Sequence, residues 1–219
     1  MREPGSAVAD AGPIRAGLRA GGWLALIAAI TAAVVVTTHD RASPQIELNR
    51  QQRLIERLAE LLPAESIGAD PLAQALEIDR PSGTHTRILR AYRGSRDGAV
   101  DGVVFEVESA NGYSGTIRLL VGVDPDGAAL GARVVEHRET PGLGDAIETR
   151  RGDWIHQFDG SSLAQPTAEH WQVKRDGGEF DAITSATITS RAVVGAVHDA
   201  LLYFRDHRNQ LLAAPEARP

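Results

Sequence analysis

Between Arg19 and His39 the chain carries 19 residues without a charge, Ala20 to Thr38, including the run GGWLALIAAITAAVVV. As a helix this stretch would rise about 28 Å at 1.5 Å per residue, close to the hydrocarbon thickness of a bilayer. Trp23 near one end suits an interfacial anchor. A cleaved signal peptide has a shorter apolar region followed by a small-x-small site, whereas VVVTTHDRA follows here. A buried core helix is the other plain reading, but no other segment of the chain offers such a run. The stretch therefore reads as one membrane span. Arg15 and Arg19 precede it, and Asp40 and Arg41 follow it. The positive-inside rule then favours a cytoplasmic N-terminus, with the rest of the chain on the far side of the membrane.

Composition narrows the chemistry. The chain has no cysteine, which excludes disulfides, thiolate metal sites, Cys-ligated iron–sulfur clusters and a cysteine nucleophile. A net charge of −6 and few aromatic residues (3 Trp, 3 Tyr, 4 Phe) argue against a nucleic-acid binder. Of the 7 histidines none forms an H-x-x-x-H pair. The lone lysine is Lys174.

The chain divides into a tail (1–19), the span (20–38), a linker helix (39–62), a folded domain (63–212) and a C-terminal tail (213–219). Met1 to Pro13 is rich in Pro, Gly and Ala without periodicity and reads as disordered. Ser43 and Pro44 read as N-cap and first residue of the linker helix. Leu54, Ile55, Leu58, Leu61 and Leu62 keep helical spacing, which predicts packing on the domain, and Pro63 ends the helix. Four strands follow, at Ile88–Arg93, Val100–Glu108, Thr116–Asp124 and Ala129–Glu136. Gly94 to Gly98, Asn111-Gly112 and Asp124-Pro125-Asp126-Gly127 separate them, which predicts an antiparallel meander. Asp145–Arg151 reads as a short helix, Trp154–Phe158 as extended or part of a turn, and Gln172–Arg175 as a possible strand. A helix from Thr187 to about Leu212 presents Val194, Val197, Leu201 and Phe204 on one face. Strands followed by a helix make this an α+β fold.

Two segments stand out. In EHRETPGLG (Glu136 to Gly144), Pro141 fixes φ and Gly142 can take φ > 0, as a type II turn requires. Gly142 and Gly144 leave room for another group to approach the backbone. This segment is either a plain surface connection or the wall of a site. His137 and Glu139, two apart on an extended segment, would face one side. In DAITSATITS (Asp181 to Ser190), five of ten residues bear a hydroxyl: Thr184, Ser185, Thr187, Thr189 and Ser190. They precede and open a helix. Helix capping is one use for them, and an anion or phosphate site at the helix start is the other.

Asp-x-x-Thr-Ser-Ala-Thr, Asp181 to Thr187, resembles the flavinylation motif of the FMN-binding domain family. His-x-Glu-Thr-Pro-Gly-Leu-Gly, His137 to Gly144, is similar to a second signature of that family, and so is Gly112-Tyr113-Ser114-Gly115 before the strand IRLLVGVD. The order of elements also matches. Residues 15 to 210 resemble G subunits of Rnf-type complexes, which are ion-translocating ferredoxin:NAD oxidoreductases. One position departs from the motif: the residue before Ala186 is often Gly, and here it is Ser185.

The resemblance implies FMN held covalently, as a phosphoester on Thr187. It implies that Asp181, Thr184, Ser185 and Ala186 form the attachment segment, and that Asp181 is recognised by, or helps position the metal of, the flavin transferase that moves FMN from FAD. Glu139, Thr140, Gly142, Leu143 and Gly144 would line the flavin. It further implies a single-pass subunit of the bacterial inner membrane with its FMN domain on the periplasmic side. The other subunits of a membrane electron transport complex would be its partners. Catalytic residues, a metal, a nucleic-acid partner and independent catalytic activity are not expected. The C subunit of the Na⁺-translocating NADH:quinone oxidoreductase shares the domain, although this chain is short for it. An anchored binding or assembly module with Thr187 unmodified is an alternative from another class. A soluble flavin reductase is disfavoured by the span and by the lack of a G-x-G-x-x-G fingerprint after a strand.

Overall fold

The computed structural model describes residues 12–67, 71, 72 and 75–213. The expected disordered tail up to residue 11 and residues 214–219 of the C-terminal tail lie outside them. The chain separates into two compact units, 1–51 and 52–219.

The first unit is helical. Helix α1 (Gly12–Leu61) begins in it and contains a stretch long and apolar enough to cross a membrane. Trp23, Leu24, Ile27, Ile30 and Val34 to Val36 are all exposed. Three threonine hydroxyls donate back to carbonyls one turn earlier: Thr31 to Ile27 (2.9 Å), Thr37 to Ala33 (2.7 Å) and Thr38 to Val34 (2.8 Å). Each thereby satisfies its own polar group inside an apolar stretch. The expected helix start at Ser43 is corrected. The helix runs through Pro44, and the Ser43 hydroxyl donates to the His39 carbonyl at 2.7 Å instead of capping a new helix. A proline at a first helical turn and one inside an exposed helix look alike locally. Here the helix continues on both sides of Pro44, and Pro44 is exposed, so water can reach the carbonyl its ring leaves unpaired.

In the second unit five strands form one antiparallel sheet in chain order. They are β1 (Leu76–Pro81), β2 (Thr86–Arg96), β3 (Ala99–Ser109), β4 (Ile117–Val123) and β5 (Ala129–Glu136). The four expected strands are β2 to β5. The β2–β3 turn is tighter than expected: β2 continues to Arg96, and Asp97 (φ 53°) and Gly98 (φ 82°) form the two-residue connection. Positive φ at both positions is what a type I′ hairpin needs.

Side chains alternate across the sheet. Val103, Phe105, Val107, Leu119 and Val121 face the main core, where helix α2 (Thr187–Leu211) contributes Val193, Val197, Leu201 and Phe204. Tyr92, Val104 and Leu120 face the other way, against Leu58, Leu61 and Leu62 at the end of α1. Of the helically spaced residues, Leu54, Leu58, Leu61 and Leu62 do pack on the domain, whereas Ile55 is exposed. Between β5 and α2 the chain runs through short 3₁₀ turns. Gly144–Ile147 and Thr149–Arg151 replace the expected single helix at Asp145–Arg151, and a third occupies Trp154–Phe158. The possible strand at Gln172–Arg175 reduces to a parallel bridge between Val173 and Phe180 followed by the 3₁₀ turn Lys174–Asp176.

Candidate functional site

The loop after β5 is shaped by Pro141 and Gly142. Gly142 has φ 79°, and the Leu143 N–H donates to the Thr140 carbonyl at 3.1 Å, so the expected type II turn is present. The Asp145 carboxylate accepts the Gly142 N–H at 2.7 Å and faces Arg151 at 3.0 Å. His137 and Glu139 lie beyond the end of β5 and take different partners, which corrects the expectation of one shared strand face. The Glu139 N–H donates to His137 Nδ1 (3.1 Å). That leaves Nε2 of His137 to donate to Glu148 at 2.7 Å. Arg150, and after it His137, hold the Glu148 carboxyl down to about 2.

Glu139 is buried. Its carboxylate accepts the Ser114 N–H at 3.0 Å and the Thr189 hydroxyl. Two glycines make room for it. A Cβ on Gly112 would lie 2.8 Å from Glu139 Oε1, and one on Gly144 would lie 2.8 Å from Glu139 Cβ and 3.0 Å from its Oε2. Glu139 thus joins three segments far apart in sequence: the loop before β4, the loop after β5 and the start of α2.

The hydroxyl-rich segment is not a capping device. Ala186 occupies the N-cap of α2, with no side-chain capping bond. The Ser190 hydroxyl accepts the Ile183 N–H (2.9 Å) and donates to the Ala186 carbonyl (3.1 Å), which clamps the approach to the helix. Thr189 is spent on Glu139. The Thr187 hydroxyl has no partner among the described residues, and neither do the first backbone N–H groups of α2. Ser185 has φ 67°, the left-handed region that glycine enters freely. That backbone explains why glycine is frequent at this motif position.

These elements enclose a cavity of about 560 Å³, within the roughly 300–1,000 Å³ of small-molecule sites. Of the expected site residues, Glu139, Thr140, Leu143, Gly144, Ser185, Ala186 and Thr187 line it. Gly142 shapes the turn behind it without lining it. Thr184 is exposed outside it. Asp181 is also outside: its carboxylate pairs with Lys174 at 2.8 Å, and Trp154 Nε1 donates to its carbonyl at 2.8 Å.

Sequence reasoning missed three lining residues, Tyr113, Arg175 and Ile188; a fourth, Thr189, was among the hydroxyls singled out at the helix start. Tyr113 lay within the Gly-Tyr-Ser-Gly segment, and Ile188 and Thr189 directly follow Thr187. Arg175 carries no local signal. Tyr113, Leu143 and Ile188 are 70%, 45% and 47% exposed, an apolar rim around a polar floor. Such a rim suits a ligand with a flat apolar ring.

A family model described as "FMN-binding domain" matches residues 112–202, the stretch that holds every lining residue. The chain is 41% identical over 209 residues to the G subunit of the ion-translocating oxidoreductase complex of Pseudomonas aeruginosa strain UCBPP-PA14, covering 95% of this chain and 98% of that one. The protein of the same name from Cereibacter sphaeroides strain ATCC 17029 is 43% identical over 191 residues, with 87% and 85% covered. Another, from Vibrio cholerae serotype O1 strain M66-2, is 38% identical over 194 residues, with 88% and 92% covered.

Proposed function

The chain belongs to the family of G subunits of Rnf-type ion-translocating oxidoreductase complexes, and from that premise we propose that it is a membrane-anchored electron carrier bearing FMN on Thr187. One observation carries the proposal. The Thr187 hydroxyl is without a partner among the described residues, lines the cavity, and opens a helix whose first N–H groups are free. Those N–H groups and the helix dipole favour a phosphate there. The apolar rim of Tyr113, Leu143 and Ile188 suits the flavin ring, so the residues present fit FMN.

In the attachment step the Thr187 Oγ attacks the phosphorus of FAD that bears riboflavin. The Oγ–P bond forms, the pyrophosphate bond breaks, and AMP leaves with the hydroxyl proton. A flavin transferase performs this step and recognises Asp181, which stands exposed on a backbone pinned by Trp154 and Gln157. Glu139 to Gly144 form the opposite wall. Bound flavin supplies one- or two-electron transfer, and the protein supplies location and electrostatics. Tyr113, Leu143 and Ile188 would pack against the ring, and the buried Glu139 holds the two walls together. Attachment through Thr187 keeps the cofactor from being lost.

Residues 20–38 form the anchor in the bacterial inner membrane, with the N-terminus in the cytoplasm and the domain on the periplasmic side. The anchor confines the domain to the plane of its partner subunits and raises their effective concentration. A span free of ionisable residues is a poor ion path, so translocation falls to other subunits.

Intact mass of the denatured chain, made in cells that supply the transferase, tests this reading. A gain of one FMN minus water, mapped to Thr187 and absent in Thr187→Ala, is expected. An unmodified mass, with the transferase active on a control domain, would replace it with the unmodified binding or assembly module.

A further inference from the structure

We infer that Arg175 is the counter-cation of the phosphate on Thr187, a positioning residue supplied by a turn distant in sequence; this rests on the reading of Thr187 as the phosphoester site.

Arg175 lines the same cavity as Thr187. It is the middle residue of the 3₁₀ turn Lys174–Asp176, and both neighbours are engaged elsewhere. Lys174 pairs with Asp181 at 2.8 Å. Asp176 holds the Arg191 guanidinium through two bonds, 2.6 and 2.7 Å, which ties the turn to the first turns of α2. The Lys174 N–H donates to the Phe180 carbonyl at 2.7 Å, and Gly177 closes the turn at φ 91°. Gly178 lies so close to Gln172 that a Cβ would stand 2.0 Å from the Gln172 carbonyl oxygen. The backbone carrying Arg175 is therefore fixed on both sides.

Among the described residues, Arg175 has no carboxylate within ion-pair distance and is the one cation lining the cavity. The cavity's own carboxylate, Glu139, is already satisfied by Ser114 and Thr189 and does not call for it. A guanidinium that lines the same cavity as a helix start, and whose neighbouring carboxylate, Asp176, is bonded to Arg191, is matched to an oxyanion with several acceptor oxygens. A phosphodiester on Thr187 supplies one negative charge there.

A thermodynamic cycle on the full-length chain in detergent tests the assignment. Unloaded and FMN-loaded forms of wild type, Arg175→Gln and Arg175→Lys are compared by thermal unfolding, with loading read by intact mass. The unloaded forms should unfold nearly alike, because the Arg175 side chain is exposed and feels only the solvent-screened charge of Asp176, which is bonded to Arg191. Loading should stabilise wild type more than Arg175→Gln, by about tenfold in the folding constant, and Arg175→Lys should recover part of that. The wild-type gain should shrink at high salt. A gain on loading that is equal in wild type and Arg175→Gln, or insensitive to salt, overturns the role of Arg175 and leaves the flavin reading standing. A merely structural arginine would destabilise both forms alike, which also overturns it. If Arg175→Gln does not load, the salt dependence of wild type decides. A wild type that gains no mass overturns the flavin reading and this inference together.

Discussion

The Thr189 hydroxyl donates to the buried carboxylate of Glu139 and so fastens the first turn of α2 to the loop after β5. The two residues come from opposite walls of the cavity. Thr189→Val keeps the shape of the side chain and removes the donor. A hydrogen bond to a charged group contributes about 1.5–3 kcal/mol, and the carboxylate stays buried when the donor goes. Thr189→Val should therefore lower stability by about 2 kcal/mol in denaturant titration. An unchanged midpoint would mean that water replaces the hydroxyl without loss.

Ser185 sits at φ 67°, so its side chain works against the backbone it must adopt. The left-handed region costs an L-residue about 1–2 kcal/mol, and glycine recovers part of this after its own entropy cost. Ser185→Gly should raise stability by about 0.5–1 kcal/mol. Gly142 is the converse, at φ 79° with open space around its Cβ position. Gly142→Ala should lower stability by about 1 kcal/mol through backbone strain alone. Equal midpoints for wild type and both variants would show that neither turn is held rigidly.

Most of the domain was legible because its signals are local. Alternation and turn chemistry marked β2 to β5, and the apolar face of α2 marked the helix. Strand β1 was not legible. It ends in Pro81, has Asp79 at φ 46°, breaks register between Glu77 and Arg80, and is held at the sheet edge by β2 alone. The cavity was legible on the two walls whose motifs are contiguous. Arg175 was not, because the pairing of Val173 with Phe180 and of Asp176 with Arg191, rather than any pattern around it, brings it there. The hydroxyl-rich segment left capping and ligand binding open. Only the placement of Ser190 and Thr189 in other bonds removes capping as its use.

Gly144 faces a different constraint from Gly142. Its backbone is ordinary, but a Cβ would lie 2.8 Å from Glu139 Cβ and 3.3 Å from Thr189 Oγ1. Gly144→Ala must push Glu139 off its two donors. Overpacking of this kind costs about 1–3 kcal/mol. The loss should be smaller in a Thr189→Val background, because part of the disrupted bonding is already gone. Strict additivity of the two substitutions would show that Gly144 acts independently of this bond.

His198 stacks on Trp171, with ring centroids 5.4 Å apart and planes at 12°, and its buried Nε2 has no partner. Burial lowers its pKa from the usual 6.5, and the Arg205 charge adds to that. A proton on this ring would place a cation without an acceptor inside the fold. Between the lowered folded value and 6.5 the unfolded chain binds more protons than the folded one. Stability should therefore fall as pH drops below 6.5, level off beneath the folded value, and be insensitive to this group above 6.5. His198→Phe removes both the orphaned nitrogen and the proton site while keeping an aromatic ring against Trp171. The variant should match or exceed wild type by about 1 kcal/mol at about pH 7, where only the orphaned nitrogen matters. Its advantage should widen as pH falls through the window below 6.5. Denaturant midpoints of both proteins at intervals from about pH 8 to about pH 5 measure this, since that range brackets the ordinary histidine value. Parallel curves would mean that His198 finds an acceptor when it is protonated, and that its burial is not the source of the acid sensitivity.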